Sequence, residues 1–248
     1  MNNVFSFILV FISFELMAHD HIPQKEKDHF GGGVGFRIFK NIKKVNIKLE
    51  TESGSRYTSQ SYSLSRFGFS YKLLNGLKLG AYYSYNKGLR HQDDWIVKNG
   101  KWLWDDTSNR VERLSEIKLV YKRRSSELST NLFGIESLYQ SNSFNGQSIL
   151  KINPFIQKFV LSSGRPNWSF KISLPIYIPL NFDSEFLYKK GLYVSSVKHF
   201  SSNYMLSLSV RYLSESWSES QSTTDRAGER YTATDNRADL LLNMIIIL

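Results

Sequence analysis

Apolar and polar residues alternate along this chain in ten stretches, which the period-two pattern assigns to strands at 33–51, 63–74, 77–88, 111–125, 127–140, 148–161, 167–180, 186–200, 203–217 and 237–248. The clearest run is Trp168 to Leu180, where Trp168, Phe170, Ile172, Leu174, Ile176, Ile178 and Leu180 all fall on even positions. Such spacing gives each strand one greasy face, because successive side chains point to opposite sides. Short connections fall at 74–76, 124–126, 162–167 and 201–203, and long ones at 52–62, 89–110, 141–147, 181–185 and 218–236. Short and long alternate, so ten antiparallel strands place every short turn, and both chain ends, on one side.

The first stretch carries a break in register. Val34, Phe36, Ile38 and Ile42 are even, whereas Val45, Ile47 and Leu49 are odd. A β-bulge near 41–44 keeps one long strand and preserves the parity of the loops, whereas a hairpin there makes eleven strands. The expectation is the bulge.

Aromatic residues decide between a soluble sandwich and a barrel that crosses a bilayer. On the apolar face, Tyr71, Tyr121, Trp168, Phe200 and Tyr204 fall toward the short-turn ends, and Tyr85, Tyr188 and Tyr212 toward the other ends. Two aromatic belts suit rings that settle at two membrane interfaces, and a sandwich core has no reason to make them. The expected fold is therefore all-β, an antiparallel transmembrane β-barrel of about ten strands, with eight and twelve as alternative counts. In lipid a sheet must close on itself to leave no unpaired edge. Arg37, Arg66, Lys72, Lys78, Lys118, Lys171 and Arg211 then face inward, with Glu112, Glu116, Glu215 and Asp239 as counter-charges. A barrel so narrow is mostly filled by its own side chains.

Residues 1–18 carry an apolar core, Val4 to Phe14, too short to span as a helix and ending near Ala18, and are read as a secretory signal. Residues 19–32 follow as a periplasmic leader, and 33–248 form the barrel. Cleavage after Ala18 removes one acid, Glu15, and no Lys or Arg, so the formal charge rises from +10 to +11. This basic balance does not indicate nucleic acid, because Lys and Arg are scattered over strands and turns and no stacking platform interleaves them. Attraction to anionic lipid headgroups accounts for it. The chain has no cysteine, which leaves stability to sheet closure.

From its apparent signal to its last strand, Ala238 to Leu248, the chain resembles bacterial outer-membrane β-barrel proteins as a general class. That resemblance implies residence in the outer membrane, contact with its lipid and lipopolysaccharide, and recognition of the last strand by the barrel assembly machinery. Leu248 departs from the aromatic terminal residue usual in the class.

Within the long connection 89–110, residues 93–106 are nearly a mirror image about Asn99-Gly100, the strongest short signal for a hairpin. A two-residue turn pairs Lys98 with Lys101, Val97 with Trp102, Ile96 with Leu103 and Trp95 with Trp104. Three of the five tryptophans thus share one ribbon, and Trp95, Trp102 and Trp104 are candidate surface-binding residues. The same register opposes Asp94 to Asp105 and Asp93 to Asp106, and facing carboxylates require a cation. Arg90, Arg110 and Arg113 are the nearest source, and Ca²⁺ is the candidate metal.

Catalytic signatures are sparse. His199-Phe200-Ser201-Ser202-Asn203 resembles the His-x-Ser-Asn stretch of outer-membrane phospholipases and lipid A deacylases, which would make His199 a base and Ser201 a nucleophile, but Ser202 intrudes where the pattern has Asn. Turn formation explains the same residues. The acidic outer loop also resembles that of omptin proteases, without their Asp-x-Asp and Asp-x-His spacings. Three of the five histidines, His19, His21 and His29, lie in the leader, and His19-Asp20-His21 at a new amino terminus could offer nitrogen ligands to Cu(II) or Ni(II). No cofactor motif is present. These features predict a barrel that binds, adheres or supports through its outer loops, with a lipid or peptide hydrolase and a narrow pore for small solutes as alternatives. They name no extracellular ligand.

Overall fold

A computed structural model describes residues 30–57, 60–87, 95–98, 101–104, 111–126, 129–143, 146–181, 186–218 and 232–248. Four strands form its first half-turn: β1 (Phe30–Ile42), β2 (Val45–Tyr57), β3 (Gln60–Leu74) and β4 (Leu77–Lys87). A separate ribbon, β5 (Trp95–Lys98) with β6 (Lys101–Trp104), lies in the next connection. Seven further segments continue the wall: β7 (Val111–Arg124), β8 (Asn131–Asn142), β9 (Ser148–Ser162), β10 (Arg165–Ser173), β11 (Ile176–Pro179), β12 (Phe186–His199) and β13 (Tyr204–Ser218). The last strand, β14 (Thr232–Ile247), follows. Every neighbour in sequence pairs antiparallel around the wall, and β14 then pairs with β1 in parallel, from Phe30 opposite Ala238 to Phe39 opposite Ile247. The sheet is a closed barrel.

Its strand count is eleven, not ten. β10 and β11 both lie between β9 and β12 and form one strand interrupted at Leu174-Pro175. Proline cannot donate to a ladder, yet pairing continues past it: the Leu174 amide donates to the Pro154 carbonyl at 3.0 Å and the Gly191 amide to the Pro175 carbonyl at 2.9 Å. The additional strand comes from the register break at 41–44, which is a hairpin and not the expected bulge. Ile42 faces Val45 across a two-residue turn in which Lys43 has φ +52°. A side-chain period of two explains the switch from even to odd. A tight turn carries the apolar face onto a second strand, where Val45 pairs back on Ile42.

That hairpin moves the first strand's start. Phe30 lies at the end that carries the connections 88–94, 105–110, 182–185 and 219–231, and Leu248 at the end that carries the turns at 43–44, 75–76, 163–164 and 200–203. The expectation that both ends share the short-turn side is therefore corrected for the described wall. The connection expected at 52–62 is also shorter than the alternation indicates, since β2 and β3 pair as far as Tyr57 opposite Gln60.

Polarity is inverted relative to a water-soluble domain. Among the described residues, 39 large hydrophobic side chains are exposed and seven are buried, against 17 buried polar or charged ones. Phe36, Phe67, Phe69, Ile117, Phe170, Ile172 and Leu208 all stand outside, between 46% and 60% exposed. No helix of the described residues is long and apolar enough to cross a membrane.

Inside, large rings fold over glycines. A Cβ on Gly134 would fall 2.6 Å from Cε1 of Phe155 and 2.6 Å from the Tyr121 carbonyl. Gly134→Val should therefore destabilise the barrel by about 1–3 kcal/mol through overpacking, while the outward Phe133→Leu should change stability little. Urea titration of the refolded barrel, followed by the mobility of unheated samples in a detergent gel, checks both.

Candidate functional site

The inward positions are even on β2, β3, β4, β7 and β8 and odd on β9, β10, β12, β13, β14 and β1, as the cross-strand registers require. Adjacent inward residues come close because opposite partners on a sheet stand about 5 Å apart. Glu50 faces Arg66 across β2–β3 and Arg37 across β1–β2. Geometry thus concentrates charge in the lumen.

Arg66 is the centre of one cluster. Its guanidinium reaches Glu50 at 3.1 Å and Glu116 at 2.9 Å, and its Nε lies 3.0 Å from the Ser84 hydroxyl. Glu50 also holds Arg37 at 2.6 Å and Lys48 at 2.5 Å. Glu116 accepts from Ser84 at 2.8 Å and from the Gln140 amide at 2.8 Å. Both carboxylates are almost wholly buried, so their charge depends on these donors.

A second cluster lies on β2, β3, β13 and β14. Arg211 meets Glu52 at 2.9 Å and Asp239 at 3.7 Å, Tyr62 donates to Glu52 at 2.9 Å, and Arg237 lies 3.4 Å from Asp239. In a third, Glu136 is held by Lys118 and Lys171, each at 2.7 Å. The Tyr177 and Tyr193 hydroxyls meet at 2.8 Å, with the Lys151 ammonium 5.0 and 5.1 Å from their ring centres.

Among the described residues, two cavities of about 270 and 430 Å³ lie in this lumen. They share part of their walls: Lys48, Arg66, Lys118, Glu136, Lys151 and Asn153 line both.

Among the inward charges read from the sequence, Arg37, Arg66, Glu116, Lys118, Lys171, Arg211 and Asp239 are joined in these clusters. Glu112 is buried and Lys78 lines the smaller cavity. The residues that sequence reasoning missed are Glu50, Glu52, Glu136, Lys48, Lys151, Tyr62 and Tyr193. Once Val45, Ile47 and Leu49 are outward, Lys48, Glu50 and Glu52 must be inward, so the signal for these three was the register break itself.

The weak catalytic candidates separate. His199 Nε2 lies 3.2 Å from the hydroxyl of Ser169, not Ser201. Ser201 instead accepts from the amides of Asn203 and Tyr204, each at 3.1 Å, which is the work of a turn residue. The ribbon pairs in the register that Asn99-Gly100 demands, with Trp95 opposite Trp104 and Val97 opposite Trp102. Asp93, Asp94, Asp105 and Asp106, together with His19 and His21, lie outside the described residues. Among those described, no group of three His, Cys, Asp or Glu side chains could hold a metal.

Searches against protein-family models and against curated proteins return no match for this chain.

Removing one partner of a buried ion pair strands the others. Arg66→Leu should cost about 3–5 kcal/mol, since Glu50 and Glu116 both lose a guanidinium, and Arg66→Lys should recover part of that. Denaturant midpoints of the two variants measure it.

Proposed function

We propose that this protein is an integral barrel of a bacterial outer membrane, with a lumen largely filled by ion-paired side chains, and that it binds, adheres or supports through its longer loops. The observation that carries this reading is the closed wall with its apolar side chains outside and its charges within. Exposed apolar surface on that scale is unfavourable in water and favourable in lipid. The wall strands have 11 to 16 residues where they are unbroken, enough to cross at the usual tilt, for which about 9–11 suffice. Closure leaves no sheet edge to lipid, as a spanning sheet requires. Tyr71, Tyr121, Trp168 and Tyr204, all outward and at least 36% exposed, lie toward the short-turn ends, and Tyr85 toward the other end, as interfacial rings would.

Orientation follows from loop length. The short turns face the periplasm and the longer connections face out, which presents the tryptophan-bearing β5–β6 ribbon to ligands, glycans or other surfaces. Lipopolysaccharide and lipid surround the wall, and the β14 strand is what the assembly machinery reads. The separation of His199 from Ser201, and its contact with a serine that is only 2% exposed, favour this reading over a hydrolase. The narrow pore moves ahead of the hydrolase as the second reading, because cavities with shared walls lie in the lumen.

The test uses fractionation and single-cysteine labelling, which is clean because the native chain has no cysteine. The protein should sediment with outer membranes, resist carbonate extraction and migrate faster in detergent gels before heating than after. Ser222→Cys should react with an impermeant maleimide on intact cells, and Ser202→Cys only once the envelope is opened. A soluble product overturns the membrane reading, and the opposite labelling pattern overturns the orientation. Conductance of the purified barrel in a planar bilayer should be small, and a stable porin-sized current would overturn the filled lumen.

A further inference from the structure

We propose that the smaller of the two lumen cavities, including the wall it shares with the larger, is a binding site for a small oxyanion such as inorganic phosphate or sulfate. The inference rests on the lumen geometry alone and does not depend on where the barrel resides.

The smaller cavity is lined by Lys48, Arg66, Lys78, Lys118 and Lys151, against the carboxylates Glu116 and Glu136. Cations exceed anions by three, and the anions are committed. Glu116 is saturated by Arg66, Ser84 and Gln140, and Glu136 by Lys118 and Lys171. Among the described residues, neither Lys78 nor Lys151 has a carboxylate partner. The Lys151 ammonium rests against the faces of Tyr177 and Tyr193, which hold it in place without neutralising it.

Asn153 leaves one acceptor without a donor. It lines both cavities and is 5% exposed, and its Oδ1 has no hydrogen-bond partner. Buried amides are ordinarily satisfied. A water retained between this oxygen and a bound oxyanion would donate to both. A cavity of about 270 Å³ has room for several waters at about 30 Å³ each, and so for a tetrahedral oxyanion with part of its hydration.

The short-turn end is cationic. Lys72 and Lys122 are exposed there, and the adjoining turn is Lys43-Lys44. A cluster of exposed cations at a barrel mouth raises the local anion concentration. The excess charge favours a divalent oxyanion over chloride, because Coulomb attraction scales with ligand charge.

The experiment uses the full chain refolded in uncharged detergent, titrated with phosphate or sulfate against chloride at matched ionic strength, with the unfolding midpoint and titration calorimetry as readouts. Phosphate or sulfate should raise the midpoint saturably, and chloride should not. Lys78→Gln should weaken binding and Glu136→Gln should strengthen it, each roughly three- to tenfold, the scale of one unit charge a few ångströms away in a partly hydrated lumen. Opposite shifts from the two variants would not arise from a loss of packing. An equal response to chloride overturns the proposal, as does unchanged affinity in Lys78→Gln. Lys78 is partly exposed near the turn end, so if Glu136→Gln does not refold, Lys78→Gln decides the matter by itself.

Discussion

The closed hydrogen-bond ring is the constraint on which the rest of this molecule depends. A sheet edge leaves a row of unpaired amides and carbonyls, and here the last such row is used when β14 pairs with β1 over ten consecutive partners. Once the ring is closed, side-chain alternation has only two destinations, lumen and exterior. Residues that a globular domain would bury, such as Phe67 and Phe170, go out, and residues it would expose, such as Glu50 and Glu116, go in.

That sorting makes the interior an electrostatic problem. A carboxylate 4% exposed cannot stay ionised without donors, and the wall supplies them from neighbouring strands: Glu50 draws on β1, β2 and β3, and Glu136 on β7 and β10. Apart from Lys48–Glu50 and Arg237–Asp239, which lie within one strand, these ion pairs therefore also staple strands together. The ion pairs reach across the lumen as well, since Arg211 on β13 meets Glu52 on β2, which is three strands away around the ring. The residual positive charge is what remains when cations outnumber the carboxylates available to them.

Much of this was legible in the sequence, and what was not has physical causes. Strands such as β10, with Trp168, Phe170 and Ile172 outward, declare themselves because their lumen residues are polar or small. The strands β8 and β9 alternate poorly because their inward sets include Leu132, Leu138, Ile149 and Phe155, which pack inside and blur the contrast between faces. That apolar flank concealed Glu136 and Lys151. The turn at Lys43-Lys44 was missed because it lacks the Gly or Asn that usually supplies positive φ; Lys43 adopts it without that chemistry. By contrast, Asn99-Gly100 carried the ribbon register in full, as local turn chemistry permits.

The parallel seam also limits how this chain could be rewired. In a barrel with an even number of antiparallel strands, first and last strands run opposite ways, so their free ends meet and a few residues can join them. Here Phe30 and Leu248 lie toward opposite mouths, separated by the length of the ten-partner β1–β14 ladder, roughly 33 Å at the usual rise. Any linker that circularised the described wall would have to run down the charged lumen or along the apolar exterior. The order of strands in the sequence is therefore tied to the direction of the barrel, and a circular permutant with a short linker cannot close this ring.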